Sequence, residues 1–363
     1  MNLIIYLVMI IIFMIIYRIY SNRDEKIEDF LNFTQCNKLP VSKRLGNIFE
    51  KNDIKRDEKN WDIYLPCGYT YVESELKDIP VLNDKQKIFA IDGCDKIVSK
   101  YHLWKTLNNK FGNRYIDFFP KTYPFTRKGL KELMDNHNNG MKYIAKKDVQ
   151  RQTGLTIIHN IKDLSKIIND RKYLVIQELL NNPFLIDERK INIRIYYLLV
   201  CNNGIVDGYV HSNGFMYYTA DKFDYNSNSD KPHITTGYID RSVYKKNPLT
   251  IDDFYKYLDK NGYNSKTLKK NIVNLFKTIM EAIKIPICKN NNIKKGVAFQ
   301  LFGCDVAPDN NLNVKLIELN KGPDLTSKDE RDNNVKLEVT NDLLEIVDII
   351  PKQDKDNRFI KLT

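Results

Sequence analysis

The stretch FQLFGCDVAPDNNLNVKLIELNKGPDL (299–325) sets two largely apolar runs on either side of the tetrad Pro308-Asp309-Asn310-Asn311. Pro, Asp and Asn provide the backbone angles and local hydrogen bonds that turns require, so the stretch predicts an antiparallel hairpin. Centring the turn between Asn310 and Asn311 places Asp305 opposite Leu316, with Glu318 on the diagonal at roughly 7–8 Å on the same face. Asn320 joins that face through the two-residue strand period. Two carboxylates and an amide carbonyl form an oxygen-only set, which suits Mg²⁺ holding polyphosphate better than a transition metal. On a solvated strand the same residues would be ordinary. Leu301, Val306, Ile317 and Leu319 instead argue for a buried sheet, where unpaired carboxylates are destabilising.

Upstream, ERKINIRIYYLLV (188–200) alternates Lys190, Asn192 and Arg194 with Ile191, Ile193 and Ile195, so the three polar residues share a face. Taken alone this is a solvent face. Set across a cleft from the acidic hairpin, it supplies cations for phosphates or for a substrate carboxylate, which Arg can bind through two nitrogens. YIAKKDVQRQTGL (143–155) is a strand ending in Lys146 and Lys147 and running into a polar loop with one glycine. It is not a P-loop, and no GxGxxG occurs in the chain. Gln177-Glu178-Leu179-Leu180 leaves a buried strand and offers backbone groups that suit an adenine edge.

The whole chain has 363 residues with 57 Lys and Arg against 46 Asp and Glu, a net charge of +11. That excess favours anionic partners without choosing among them, and abundant Lys, Asn and Ile is also what an AT-rich coding sequence yields. No RNP-like or helix-turn-helix signature is visible, so nucleic acid is not expected as a partner. The six cysteines are widely spaced with no CxxC. They predict neither a zinc cluster nor a disulfide framework, and a reducing compartment follows. No HExxH occurs among the positions of the five histidines, so zinc chemistry is not expected.

Met1 to Tyr17 carries no charged side chain and is followed by Arg18, Arg23 and Lys26. This pattern predicts an uncleaved transmembrane anchor over residues 1–20, with the positive flank and the rest of the chain in the cytosol. Residues 21–60 are charge-dense and predict a polar tether. The globular part then divides into an N-terminal lobe (61–125), a central lobe (126–188) and a C-terminal lobe with the metal site (189–350), followed by a tail (351–363). The best-supported helices are 251–260, capped by Thr250 with Asp253, and 265–284, whose Leu268, Ile272, Leu275, Phe276, Ile279 and Ile283 form one apolar face.

In order along the chain, these segments resemble the tubulin–tyrosine ligase-like family of ATP-grasp ligases from about residue 87 to 325. VIQELLNNPFLIDERKINIRIYYLLV (175–200) and the 299–325 stretch carry most of the likeness. YIAKKDVQRQTGL, PHITTGYID (232–240) and FFPKTYPF (118–125) fall in their expected places. The resemblance implies an α+β ATP-grasp fold, here preceded by the membrane helix, with ATP and Mg²⁺ as cofactors. It gives Asp305, Glu318 and Asn320 the role of Mg²⁺ ligands and Arg194 that of orienting the acceptor carboxylate. Lys100, Lys146, Lys190 and Asn192 would lie around the nucleotide with Thr235, and Gln177, Glu178, Leu179 and Leu180 would line adenine. The implied reaction joins an amino acid to an acidic protein tail, tubulin being the first candidate, through an acyl phosphate. Two departures stand out: Asn192 replaces the family's Asp, and Thr236 replaces its Asn. They keep a second reading open, a catalytically degenerate nucleotide-binding membrane scaffold.

Overall fold

Segments that each bury one apolar face assemble around two separate cores. The computed structural model describes residues 31–148, 154–290 and 293–362. The first four strands, β1 (Asn32–Gln35), β2 (Lys55–Arg56), β3 (Ile63–Leu65) and β4 (Lys87–Ile88), run parallel in the order β2-β1-β3-β4. A four-stranded antiparallel sheet follows, from β5 (Thr122–Pro124), β6 (Tyr143–Lys147), β7 (Leu155–Ile158) and β8 (Tyr173–Glu178), in the order β5-β8-β6-β7. It closes a small core of its own around Tyr123, Leu133, Tyr143 and Ile176.

The remaining strands are β9 (Leu185–Ile186), β10 (Arg189–Asn202), β11 (Ile205–Thr219), β12 (Thr235–Thr236), β13 (Val297–Pro308), β14 (Val314–Lys321) and β15 (Phe359–Lys361). β10 lies between β11 and β13, and the far end of β13 pairs in parallel with β4. The N-terminal and C-terminal lobes thus share one eleven-stranded sheet and one large core. Helix Ser265–Ile283 buries the apolar face read from its sequence, and Thr250 and Asp253 form a reciprocal capping box on helix Ile251–Lys260.

Several expectations are corrected. The transmembrane helix over residues 1–20 lies outside the described residues, and among the described residues no helix is long and apolar enough to cross a membrane. The longest, Ser265–Ile283, is amphipathic, with Lys266, Lys269, Lys270 and Lys277 exposed. The membrane-anchored architecture and single-pass location are therefore withdrawn in favour of an α+β fold without a spanning helix among the described residues.

The described part of the 21–60 segment is not a tether. It forms β1, β2 and helix Lys43–Lys51, and Ile48, Phe49 and Ile54 enter the large core. Few apolar residues suffice because their spacing puts them on one side of a short helix. The expectation of six unpaired thiols is also corrected: Cys36–Cys67 and Cys201–Cys288 are disulfides, and Cys94 and Cys304 are free and buried. Sheet pairing brings the first two together, since Gln35 lies opposite Leu65 in the β1–β3 ladder. Spacing along the chain carries no trace of that.

Candidate active site

A cleft of about 480 Å³ opens where the two sheets meet. Its walls contain all thirteen residues singled out in the sequence, from Lys100 on the first lobe to Asn320 on β14. Five structural units supply them: the start of helix Lys100–Phe111, the small sheet, β10, the β12 segment and the β13–β14 hairpin.

The hairpin forms, with a register that differs from the expected one. A β-bulge between Asp305 and Val306 shifts the ladder, so Asp305 faces Glu318 directly and Val306 faces Leu316. The two carboxylates are thus cross-strand neighbours rather than a diagonal pair, and like charges so placed repel. Burial and Glu318 together push the Asp305 carboxyl above its ordinary range despite Arg194. Glu318 moves the other way. Burial opposes its charge, but Lys100, the Asn320 amide, Lys146 and Arg194 outweigh that and hold it below the usual carboxylate range. Asn320 Nδ2 donates to Glu318 Oε1 at 2.8 Å, so the amide oxygen is the atom that could serve a metal.

Lys190, Asn192 and Arg194 do share a face, with Ile191, Ile193 and Ile195 fully buried behind them. They stand beside the acidic hairpin in the same sheet rather than across a cleft from it, because β10 and β13 are adjacent and Arg194 is in register with Asp305. Arg194 Nε and Nη2 donate to the two Asp305 carboxylate oxygens at 2.6 and 3.2 Å. Its guanidinium carbon also sits 5.0 Å from the centre of the Tyr217 ring. Burial disfavours the Arg194 charge, yet Asp305 raises its pKa above the ordinary value.

Lys146 and Lys190 are both buried, and burial lowers each to about 8. A neighbouring lysine contributes to each lowered value, Lys100 to that of Lys146 and Lys146 to that of Lys190. Lys190 Nζ donates to the His233 carbonyl at 3.1 Å, which fixes the segment leading into β12. At the other end, Gln177 Nε2 donates to Thr122 Oγ1 at 2.9 Å. The amides of Glu178 and Leu179 already donate to the Lys121 and Lys142 carbonyls, so recognition at this edge falls to other atoms of the Gln177–Leu180 stretch.

Among the described residues, the buried oxygens Gln177 Oε1 and Asn192 Oδ1 have no hydrogen-bond partner. Both belong to residues lining the cleft. Buried polar atoms rarely stay unpaired, so the cleft has the chemistry of a polar ligand's site. Lys100, Lys146, Lys190 and Arg194 stand around the carboxylates of Asp305 and Glu318, an oxygen-only set of the kind that fits Mg²⁺ and polyphosphate.

Sequence reasoning missed a second group of lining residues: Tyr217, Arg241, Asp324, Lys328, Asp332 and Lys336. Most of them sit on or before helix Glu330–Ile346, which reads in sequence only as an amphipathic helix. The signal was present in Asp332 and Lys336, four residues apart and flanking Val335. A charged pair on the apolar side of a helix marks a place where charge is being buried. In the structure they pair at 2.8 Å and both are almost fully buried.

The model of the Tubulin-tyrosine ligase family matches residues 79–357. The chain is 26% identical over 369 residues to the tubulin monoglutamylase TTLL4 of Homo sapiens, which covers 93% of this chain and 30% of that protein. It is 25% identical over 338 residues to the probable tubulin polyglutamylase TTLL2 of Mus musculus, with 85% and 59% covered. To the probable tubulin polyglutamylase TTLL9 of Rattus norvegicus it is 27% identical over 351 residues, with 81% and 74% covered. The chain therefore spans well under two thirds of the length of the first two relatives. The match takes in β4, the small sheet, β10 and the acidic hairpin and covers well over half of the chain, and on that ground the chain belongs to the tubulin-tyrosine ligase family.

Proposed function

We propose that the chain is an ATP- and Mg²⁺-dependent carboxylate–amine ligase that adds an amino acid to an acidic protein acceptor. The relatives' names point to tubulin as the acceptor and glutamate as the added residue. The observation that supports this most is the convergence of Asp305, Glu318, Asn320, Lys100, Lys146, Lys190 and Arg194 on one cleft.

In this reading Asp305, Glu318 and Asn320 hold Mg²⁺, which supplies charge neutralisation on the polyphosphate when bound. Lys146 and Lys190 bind and orient the phosphates, and burial raises the strength of that interaction. Gln177 and Asn192 present buried oxygens to the nucleoside. Arg194 holds Asp305 in place and, through Tyr217, faces the far end of the cleft. A carboxylate of one substrate attacks the γ-phosphate and ADP leaves. An amine of the other then displaces phosphate to leave an amide. Positioning and electrostatics carry both steps, so no protein nucleophile is required.

The rival reading, a nucleotide-binding scaffold without catalysis, draws on Asn192 and Thr236. Incubating the full chain with ATP, Mg²⁺, glutamate and acidic peptides, then following ADP and peptide mass, separates the two. The ligase reading expects a mass increase of one or more residues that an Asp305→Asn, Glu318→Gln control abolishes. ATP binding with no product above that control, across a broad acceptor panel, supports the scaffold.

A further inference from the structure

Residues 31–78 lie outside the matched family segment, yet two of their side chains reach the loop that follows β14 and borders the cleft. Arg44, on helix Lys43–Lys51, donates from Nη1 to the Leu325 carbonyl, and from Nη2 to Ser327 Oγ at 2.5 Å and Asn333 Oδ1 at 3.1 Å. Its guanidinium is also close enough to Asp324 and Asp332, two residues of the cleft wall, to feel their charge. Two nitrogens of a rigid fork on one loop fix its orientation in a way that a flexible ammonium cannot.

The second contact is independent of the first. Gly322 adopts φ +63°, and a Cβ built on it would lie 2.0 Å from Tyr69 Cδ2. The Tyr69 ring is therefore laid directly on the loop backbone, at a position where a glycine is needed on both steric and conformational grounds. Tyr69 is held from its own side by a 3.4 Å hydrogen bond from its hydroxyl to the Phe89 carbonyl. The disulfide Cys36–Cys67 joins the chain just before Arg44 to the chain just before Tyr69. The two arms are one covalently closed unit.

The loop they grip carries Asp324 and Lys328 and leads into the helix bearing Asp332 and Lys336. These residues line the cleft from a different lobe than Gln177 and Leu180, and a substrate other than the nucleotide would lie against them. We propose that residues 31–78 form a clamp that sets the shape of this end of the cleft, with Arg44 and Tyr69 as positioning residues for the non-nucleotide substrates. The kinetic part rests on the ligase reading, whereas the anchoring of the loop does not.

The test compares the full-length chain with Arg44→Ala and Arg44→Lys. Hydrogen exchange of the 324–330 amides reads the loop, a fluorescent ATP analogue with Mg²⁺ reads the nucleotide end, and steady-state kinetics with glutamate and an oligoglutamate peptide reads turnover. Arg44→Ala is expected to speed exchange of the loop by about fivefold or more and to raise KM for glutamate or peptide by a similar factor. Nucleotide affinity should stay within about twofold, since the loop and the Gln177–Leu180 edge belong to different lobes and none of the Arg44 hydrogen bonds reaches that edge. Arg44→Lys, which keeps one donor and loses the fork, should fall between. Loop exchange unchanged in Arg44→Ala overturns the clamp, and so does a fall in kcat and nucleotide affinity together with unchanged KM. If the unaltered chain shows no turnover across the broad acceptor panel, the ligase reading fails and the exchange result alone decides the clamp.

Discussion

Arg194 and Asp305 occupy register-matched positions on adjacent strands, and the arginine grips the carboxylate through two nitrogens. A proposed metal ligand is thus aligned by a cation before any ligand arrives. The same contact lessens the repulsion between Asp305 and Glu318 that the β-bulge creates.

Asp305→Asn removes a proposed metal ligand and half of a largely buried ion pair. Breaking such a pair leaves the Arg194 charge uncompensated and should lower stability on the order of 3 kcal/mol. Ligase turnover should fall on the order of 10²-fold or more, the scale seen when one preorganised charge-stabilising group is lost. Glu318→Gln should lower turnover similarly with a smaller loss of stability, because Gln can still accept from Asn320. Urea unfolding and ADP release check the two effects separately.

Lys190 gives a pH signature. Its folded pKa of about 8 lies below the ordinary lysine value, so between pH 8 and about 10.4 the unfolded chain binds more protons than the folded one. In that window this residue makes stability rise with pH. Nucleotide affinity should move in the opposite direction, weakening as pH passes through 8 and the phosphates lose a cation. Bound phosphate favours the ammonium form, so the affinity profile of the complex is shifted to higher pH. Titrating ATP-analogue affinity from pH 7 to 9.5, with Lys190→Arg as the reference that stays charged, should show a steeper alkaline loss in the unaltered chain.

Arg358 forks onto Asp252 with both contacts at 2.7 Å, and its amide donates to Asp342 Oδ2 at 2.9 Å. It fastens the chain entering β15 to helices Ile251–Lys260 and Glu330–Ile346, and it does not line the cleft. Arg358→Ala should reduce stability by roughly 1–3 kcal/mol and leave nucleotide affinity unchanged, which thermal unfolding and analogue binding measure in one preparation.

The cysteine pairing gives a direct chemical count. Under denaturing, non-reducing conditions, alkylation should modify Cys94 and Cys304 and leave Cys36, Cys67, Cys201 and Cys288 as two disulfide-linked peptides in a mass-spectrometric digest. Reduction should release the other four, so that all six are then alkylated. Closing a loop between residues separated by 31 positions should contribute about 3 kcal/mol, so a reducing agent should lower the unfolding midpoint.

What was legible in the sequence was local. Thr250 and Asp253 announce their helix because both halves of the capping box lie within one turn, and Lys190, Asn192 and Arg194 share a face because strand periodicity alone fixes it. The acidic hairpin was found as a hairpin, but its register was not, since a one-residue bulge leaves no compositional mark beside Asp305. Strand order was equally hidden. Nothing in residues 188–200 says that Arg194 will lie next to Asp305, more than a hundred residues later. Lys328 and Arg241 escaped notice for the same reason, since only the fold brings the segments before the last helix and after β12 to the cleft. The apolar residues of 31–60 are few, and their burial depends on a sheet formed largely by later parts of the chain.

β13 carries a mechanical consequence. At Val297–Ala298 it is hydrogen-bonded to the first lobe through β4, and at Gly303–Val306 to the strands of the last lobe. Those two lobes are therefore joined through one continuous hydrogen-bonded sheet. The four-stranded sheet has no strand in that ladder and keeps a core of its own. The cleft therefore has walls of unequal attachment: the carboxylates stand on the continuous ladder, whereas Lys146 and Gln177 stand on a sheet tied to it by chain connections and by contacts such as those of Lys142 with Tyr225 and Ser227.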